Sequence, residues 1–259
     1  MNHWQGKWAL VTGASAGIGT ALARELAAGG TNLVLTARRR DRLEALAAEL
    51  SNVRVEVCIA DLAQPHAPDE VFAFTESKGI VVDLLVNNAG FGAYGEFSKV
   101  ELVRLLEMVQ VNTSAVVHLT HLYLQGMIAR KRGDVLILAS TAAFQAVPYI
   151  STYAATKAFD LLFAEGLAEE MRPYGIRVCA LCPGPTTSEF AEVAAHPART
   201  ARTFETAEKV ARVGLEALAA GKSSVVSGLG NKLGAVGASI APRRLVTRVA
   251  AKLYRPDGT

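Results

Sequence analysis

The most constraining feature of this 259-residue sequence is a short apolar run, Trp8-Ala9-Leu10-Val11, that ends in a glycine-rich turn, Thr12-Gly13-Ala14-Ser15-Ala16-Gly17-Ile18-Gly19. A helical pattern follows over 18–28. Strand, glycine turn and helix in that order make a cradle for the pyrophosphate of a dinucleotide. Glycine lets the backbone come close to the phosphates, and the helix N-terminus adds amide donors and a favourable dipole. Further β-rich runs lie at 33–36, 53–59, 84–86, 135–138, 176–181 and 224–226. Helical patterns fall between them, at 100–111, 114–131, 151–172 and 207–220. The alternation predicts an α/β fold, a Rossmann-like doubly wound parallel sheet of about seven strands with helices on both faces. The length allows one such domain or two small ones. The reading is a single domain over 5–227 followed by a tail at 228–259.

Two stretches bring chemistry to that frame. In Tyr153-Ala154-Ala155-Thr156-Lys157 a phenol and an ammonium share one helix face, one turn apart. A phenol with a pKa of about 10 exchanges protons poorly at neutral pH. A fixed positive charge beside it favours the phenolate, which makes the pair a sensible general acid/base for a carbonyl or an alcohol. Ser140 ends the β-rich run 135–138, and a hydroxyl there can face a cleft and donate to a carbonyl oxygen. Thr141 is the neighbouring alternative donor.

The glycine turn, Asn87-Asn88-Ala89-Gly90, Asn112, Ser140 thirteen positions before Tyr153, and Tyr153 with Lys157 occur in one order. Together they resemble the motif set of the short-chain dehydrogenase/reductase family, in its single-domain branch. The likeness covers roughly residues 5–227, and the local pattern is most similar to hydroxysteroid dehydrogenases and long-chain 3-oxoacyl reductases. It implies that Gly13, Ser15, Gly17, Ile18, Gly19, Asp61, Leu62, Asn88, Ala89, Gly90 and Thr186 line the cofactor, with Tyr153 and Lys157 contributing. It makes Asn112, Ser140, Tyr153 and Lys157 the catalytic set, Asn112 serving a water that links the lysine to solvent. It makes Asn87 a brace for the sheet. It also implies a homo-oligomer, in which the face shared by the helices at 114–131 and 151–172 is either the dimer interface or packed on the chain's own sheet. Asp61 has a second reading as the N-cap of the helix after Pro65, and Ser151 reads as the N-cap of the Tyr153 helix.

Cofactor choice turns on the end of the second strand. A site for NAD usually places a carboxylate there. This chain has Ala37, then Arg38 and Arg39, and guanidinium groups pair with a 2′-phosphate. The expectation is NADP(H), with Arg38 the main contact and Arg39 beside it. Ala16 stands where many NADP-binding relatives carry a second basic residue.

Charge and composition narrow the partners. The net charge is +3, but 228–259 holds six basic residues against one acidic, leaving 21 basic and 23 acidic in the body. A near-neutral body argues against nucleic-acid binding. In the tail, Leu245, Val246, Val249 and Leu253 form one stripe beside Arg244, Arg248, Lys252 and Arg255. This basic amphipathic helix either covers the protein body, the plainer reading, or lies on an anionic membrane surface. A Gly/Ala-rich linker precedes it.

No signal peptide precedes the first strand and no apolar stretch reaches the roughly 20 residues a bilayer span needs, so the expected location is cytoplasmic. The Asn112-Thr113-Ser114 sequon is set aside on the same ground. Cys58, Cys179 and Cys182 read as buried thiols. Cys179 and Cys182 would point to opposite faces of a strand, and no second pair completes a zinc site. His118 and His121 lack a third ligand, so no metal is expected.

The aromatic turn at 91–95 and the polar stretch at 187–206 are the candidate substrate wall and lid. The expected function is NADPH-dependent hydride transfer between nicotinamide and a carbonyl or secondary alcohol, on a hydrophobic ketone or 3-oxoacyl substrate. A catalytically silent NADPH-binding scaffold is the alternative; it predicts gaps in the Ser/Tyr/Lys set, and there are none. An extended-branch sugar-nucleotide epimerase would need a larger C-terminal domain than the fewer than 80 residues after Gly184 provide.

Overall fold

A computed structural model describes residues 3–187, 189–190, 194 and 204–256. Seven parallel strands form one sheet: β1 (Trp8–Thr12), β2 (Asn32–Ala37), β3 (Val55–Ile59), β4 (Val82–Asn87), β5 (Gly133–Leu138), β6 (Ile176–Cys182) and β7 (Ser224–Val226). Their order is β3-β2-β1-β4-β5-β6-β7. The chain builds outward from β1 to one edge, then returns to β4 on the other side of β1. Between β1 and β4 the loops that follow the strands diverge in opposite directions and leave a crevice.

Both faces of the sheet are covered, so its strands read as continuous apolar runs whose alternate residues enter two separate cores. Leu10, Val34, Val135 and Val178 point to one side. There they meet α3 (Ala67–Ser77), α5 (Ala115–Arg130) and α6 (Ser151–Met171) through Val71, Leu119 and Leu161. Ala9, Leu33, Leu136 and Leu181 point to the other. That layer holds α1 (Gly17–Ala28), α2 (Arg40–Glu49) and α7 (Ala207–Ala219), through Leu22, Leu43 and Val210. Cys182 falls in the first core and Cys179 in the second, the opposed placement that a strand requires. All three cysteines are free thiols.

The two long helices expected to meet at Asn112 are one helical run. α4 (Leu102–Val109) passes through a π-helical turn, Gln110–Ser114, directly into α5. The wider turn lets Asn112 be fully buried on the inner side without breaking the helix. Two capping expectations are corrected. Ser151 is the first residue of α6, with Ile150 at its N-cap, and the Ser151 hydroxyl donates to the Val147 carbonyl. His66 occupies the N-cap of α3, while Asp61 Oδ1 accepts from the Ala63 amide in a local turn of its own.

The tail also differs from expectation. Its Gly/Ala-rich part is not a linker but a helix, α8 (Leu229–Ile240), and α9 (Arg243–Tyr254) follows. Three glycines, Gly230, Gly234 and Gly237, weaken this helix in isolation. Here packing on the body compensates, with Ala235 buried on α8 and Ala250 buried on α9. Among the described residues no helix is long and apolar enough to cross a membrane.

At the opposite end of the sheet from the crevice, Asp134 ties the N-terminus to the strands. Its carboxylate accepts from Trp4 Nε1 at 2.7 Å and from Arg177 Nε at 2.6 Å. Replacing Asp134 by Ala leaves a buried indole N–H without an acceptor and a half-buried guanidinium with the Ala219 carbonyl but no carboxylate partner. The expected loss is about 2–3 kcal/mol of stability, or a Tm lower by roughly 5–10 °C, read by thermal denaturation.

Candidate active site

The crevice is stitched by one side chain. Thr12, at the end of β1, donates its hydroxyl to the Val86 carbonyl on β4 and accepts from the Asn88 and Ala89 amides at 2.9 Å. Asn88 returns its side-chain amide to the Thr12 carbonyl at 2.8 Å. Asn87 braces the sheet from behind, donating to the Thr120 hydroxyl on α5 at 2.9 Å. Two strand ends are thereby locked together while their outward backbones stay exposed to the crevice.

Glycine is required where they meet. Gly13 has φ +65°, and a Cβ there would lie 2.8 Å from the Ala89 Cα. A Cβ on Gly19 would collide with the Gly13 carbonyl oxygen. The result is a cleft of about 690 Å³. At one end lie Arg38, Arg39, Asp61 and Leu62, and in the middle Gly13, Ser15, Gly17, Ile18, Asn88, Ala89 and Gly90. At the other end lie Ser140, Tyr153, Lys157 and Thr186. All but two of the residues predicted for the site therefore line one cavity. Gly19 faces inward beneath the turn, and Asn112 lies behind the wall.

Asn112 holds that wall in place. Its Oδ1 accepts from the Phe91 amide at 3.1 Å, and its Nδ2 donates to the Phe91 carbonyl and the Thr156 hydroxyl, each at 3.0 Å. One side chain thus ties the aromatic turn to α6, which carries Tyr153 and Lys157. Phe91 itself lies under the Arg104 guanidinium, 4.0 Å from its ring centre.

At the inner end Tyr153 is half-buried, its ring 5.1 Å from that of Phe190. Burial pushes its phenol above the ordinary value, while the Lys157 charge and a hydrogen bond with Ser140 pull the other way. Ser140 Oγ also accepts from the Ala142 amide at 3.1 Å, which orients the hydroxyl. Lys157 is buried and donates to the Leu138 carbonyl at 2.6 Å and to Asp160 at 3.0 Å. Burial alone would lower its pKa, but the Asp160 charge and Tyr153 more than offset this and hold it up. Asp160 is itself pushed up to about 6 by burial, against the pull of Lys157, so the pair is ionised at neutral pH.

At the outer end the two arginines divide. Arg38 is exposed and faces Asp61 at 4.0 Å. Arg39 reaches over the glycine turn, its Nε 3.2 Å from Ser15 Oγ, and pairs with Glu189 at 2.8 Å. Arg42 contacts the same carboxylate. Glu189 lies in the stretch 187–206, most of which is outside the described residues; Phe190, Ala194 and Phe204 from it also line the cleft. Thr186 turns its hydroxyl to the Gly184 carbonyl at 3.0 Å.

The tail closes the inner end. Gly230, Asn231, Gly234, Ala235 and Ala238 of α8 and Tyr254 of α9 line the cavity. The Tyr94 hydroxyl donates to the Tyr254 carbonyl at 2.9 Å. Asn231 donates to the Ser227 carbonyl at 2.8 Å and packs against Gly184. Thr12, Asp160, Glu189, Asn231 and Tyr254 are the residues sequence reasoning missed. Among the described residues no group of three His, Cys, Asp or Glu could hold a metal ion.

A cleft with a glycine cradle at the switch point, arginines at one end and a Tyr–Lys pair at the other is the arrangement of a dinucleotide-binding α/β protein. Residues 7–198 match the model of the short chain dehydrogenase family. A very-long-chain 3-oxoacyl-CoA reductase from Phaeosphaeria nodorum is 35% identical over 184 residues, covering 67% of this chain and 53% of that protein. One from Bos taurus is 32% identical over 197 residues, covering 73% and 62%. The chain thus spans about half the length of the fungal relatives that it matches.

A solved short-chain dehydrogenase from Sphingobium yanoikuyae, in complex with NADPH, superposes with a TM-score of 0.82 at 30% identity over 89% of this chain and 91% of that one. A structure from work on 7β-hydroxysteroid dehydrogenase stereoselectivity reaches 0.87 at 27% identity, over 97% and 100%. The protein belongs to the short chain dehydrogenase family.

The cradle at Gly13 is testable without knowing a substrate. Gly13→Val must hold a β-branched residue at positive φ against the Ala89 backbone. Dinucleotide affinity, measured by titration calorimetry, is expected to fall at least about tenfold, ~1.4 kcal/mol.

Proposed function

We propose that this protein is an NADPH-dependent oxidoreductase that reduces a hydrophobic ketone or 3-oxoacyl thioester, or oxidises the matching secondary alcohol. The observation that carries the reading is the meeting of Ser140, Tyr153 and Lys157 at the inner end of a groove whose middle is a glycine cradle. The groove fits the cofactor: Gly13, Gly17, Ala89 and Gly90 line its middle, where a pyrophosphate would meet the start of α1, and Arg38 and Arg39 line the end that an adenosine ribose would occupy. When bound, the nicotinamide supplies the hydride.

The chain's own residues do the rest. Ser140 and Tyr153 hold the substrate oxygen, and the buried phenol donates the proton as charge develops there. Lys157 stabilises the resulting phenolate and is placed to hold the nicotinamide ribose. Asn112 fixes the wall and the helix on which this geometry depends. Gly90 packs close against Asn112, since a Cβ there would lie 3.1 Å from its Oδ1. The complete Ser/Tyr/Lys set speaks against a silent scaffold.

NADPH is favoured over NADH by Arg39, which Ser15 aims across the turn. A hydrophobic substrate is favoured by Phe91, Phe190, Phe204 and Tyr254 around the inner cavity. The proposed catalytic domain is 5–227, with 228–259 as a tail whose described part also lines the cavity. A second copy would cover the apolar face formed by Leu102, Val103 and Leu106 on α4 with Phe159 and Leu162 on α6, all exposed.

The cap formed by α8 and α9 is the candidate contact with an anionic lipid surface. Leu229, Leu233, Val236 and Ile240 make one outward stripe on α8, and Leu245, Val249 and Leu253 make another on α9. Six basic residues and no acidic one occur across 228–256. Apolar stripes flanked by cations match such a surface, whereas the same patch of a second copy would repel it.

Two measurements test these readings. NADPH and NADH oxidation would be followed against carbonyls from small aldehydes through 3-oxoacyl thioesters to ketosteroids. Turnover is expected with NADPH and a bulky apolar ketone or thioester and lost in Tyr153→Phe by at least about a thousandfold, ~4 kcal/mol. Substantial turnover in that variant rules Tyr153 out as the principal acid. In co-sedimentation, the protein is expected to bind phosphatidylserine-containing vesicles, to ignore phosphatidylcholine ones, and to lose binding as Arg244→Glu/Arg248→Glu. Indifference to both vesicle types ends the lipid-surface reading.

A further inference from the structure

Asp160 lies one turn beyond Lys157 on the inward face of α6, completely buried. Its neighbours along that face, Leu161 and Ala164, belong to the apolar core. Oδ2 accepts from Lys157 Nζ at 3.0 Å, while Oδ1 has no hydrogen-bond partner among the described residues. A carboxylate at such a position is costly unless something compensates it. Among the described residues its compensation is the Lys157 ammonium group. A residue serving the core alone would be apolar, and one serving the helix would use both oxygens.

We infer that Asp160 is a positioning residue: the counter-ion that holds the Lys157 ammonium in place, and whose opposing field offsets part of that ammonium's pull on the Tyr153 phenol, biasing the site toward proton donation and hence reduction. The inference rests on the acid–base reading of Tyr153.

The surroundings leave few other sources of charge. Tyr153 faces Ser140 from the end of β5 and Tyr254 from α9, and burial pushes the Tyr254 phenol up, so it is neutral. Lys157 faces the Cys182 thiol of β6, pushed by burial to about 12 and also neutral. Asn112 and Thr156 carry no charge. The formal charges acting on Tyr153 are therefore Lys157, which pulls its pKa down, and Asp160, which pushes it up. Removing the carboxylate's charge lowers the phenol's pKa as long as Lys157 stays protonated. Reduction needs the protonated phenol, so its rate must then fail at lower pH. Alcohol oxidation needs the phenolate and must begin at lower pH by the same amount.

The test is the pH profile of kcat/KM in both directions for Asp160→Asn, with NADPH affinity and Tm measured alongside. Both limbs are expected to move down by about one unit, a tenfold relative loss of reduction above the limb. A merely structural role would lower the plateau and the Tm without moving the limb. Asp160→Glu, which keeps the charge, is expected to keep the limb near its original pH even where the plateau falls.

The phenol can also be titrated without turnover, from its ultraviolet phenolate band after subtracting the Tyr153→Phe protein. That separates a failure here from an error about the overall reaction. Should Asp160→Asn fold poorly, Asp160→Ser leaves room for a water at Lys157 and carries the same expectation. A limb and phenolate titration that stay fixed, or move upward, overturn the inference.

Discussion

The structure depends on how β1 and β4 are joined. They are neighbours in the sheet but belong to opposite windings of the chain, so nothing in their connecting loops holds their ends together. The Thr12 hydroxyl and the Asn88 side chain do so, using donors and acceptors that would otherwise be buried without partners. Because the lock is made on the sheet side, the opposite backbone surface stays open. Gly13, Ala89 and Gly90 form that surface, and it is where a flat, charged ligand can lie closest to the chain. A site of this kind is a consequence of topology, and side chains then decide what it accepts.

Chemistry is set by a second constraint, the low polarizability of the interior around α6. Tyr153 and Lys157 are pressed by burial in opposite senses, each toward its neutral form. Ser140 offsets part of this for the phenol, while the Leu138 carbonyl and Asp160 hold the ammonium. Asn112 contributes indirectly, since the π-helical turn that carries it keeps Phe91 and Thr156 in register around the same space.

Much of this was legible in the sequence. Strand ends bearing small or hydroxylated residues sit where a parallel sheet must open, and Gly13, Ser15 to Ile18, Asn88 to Gly90 and Ser140 line the cleft, while Gly19 and Asn87 support it from behind. The dual core was legible too, because Cys179 and Cys182 obey the two-residue period of a strand.

What escaped depends on contacts between distant segments. Glu189 meets Arg39 across 150 positions, and no local pattern announces it. Asp160 looked like an ordinary polar residue on a helix, although its spacing of three from Lys157 was a signal that could have been weighed. α8 was hidden by its glycines, since propensity describes an isolated segment and packing against the body decides otherwise. Ser151 failed as a cap because the backbone enters the helix one residue earlier than its chemistry suggests.

Tyr254 stands close to the end of the chain, yet it lines the cavity and is held there through its own carbonyl by Tyr94. Its grip on the pocket uses main chain as well as ring, so that anchor survives a change of side chain. The residues proposed to serve hydride and proton transfer come from the sheet and α6, whereas the roof above them comes from α8 and α9. The two parts can drift at different rates: a lineage could exchange the roof, and with it the shape of molecule admitted, while leaving the reaction beneath untouched.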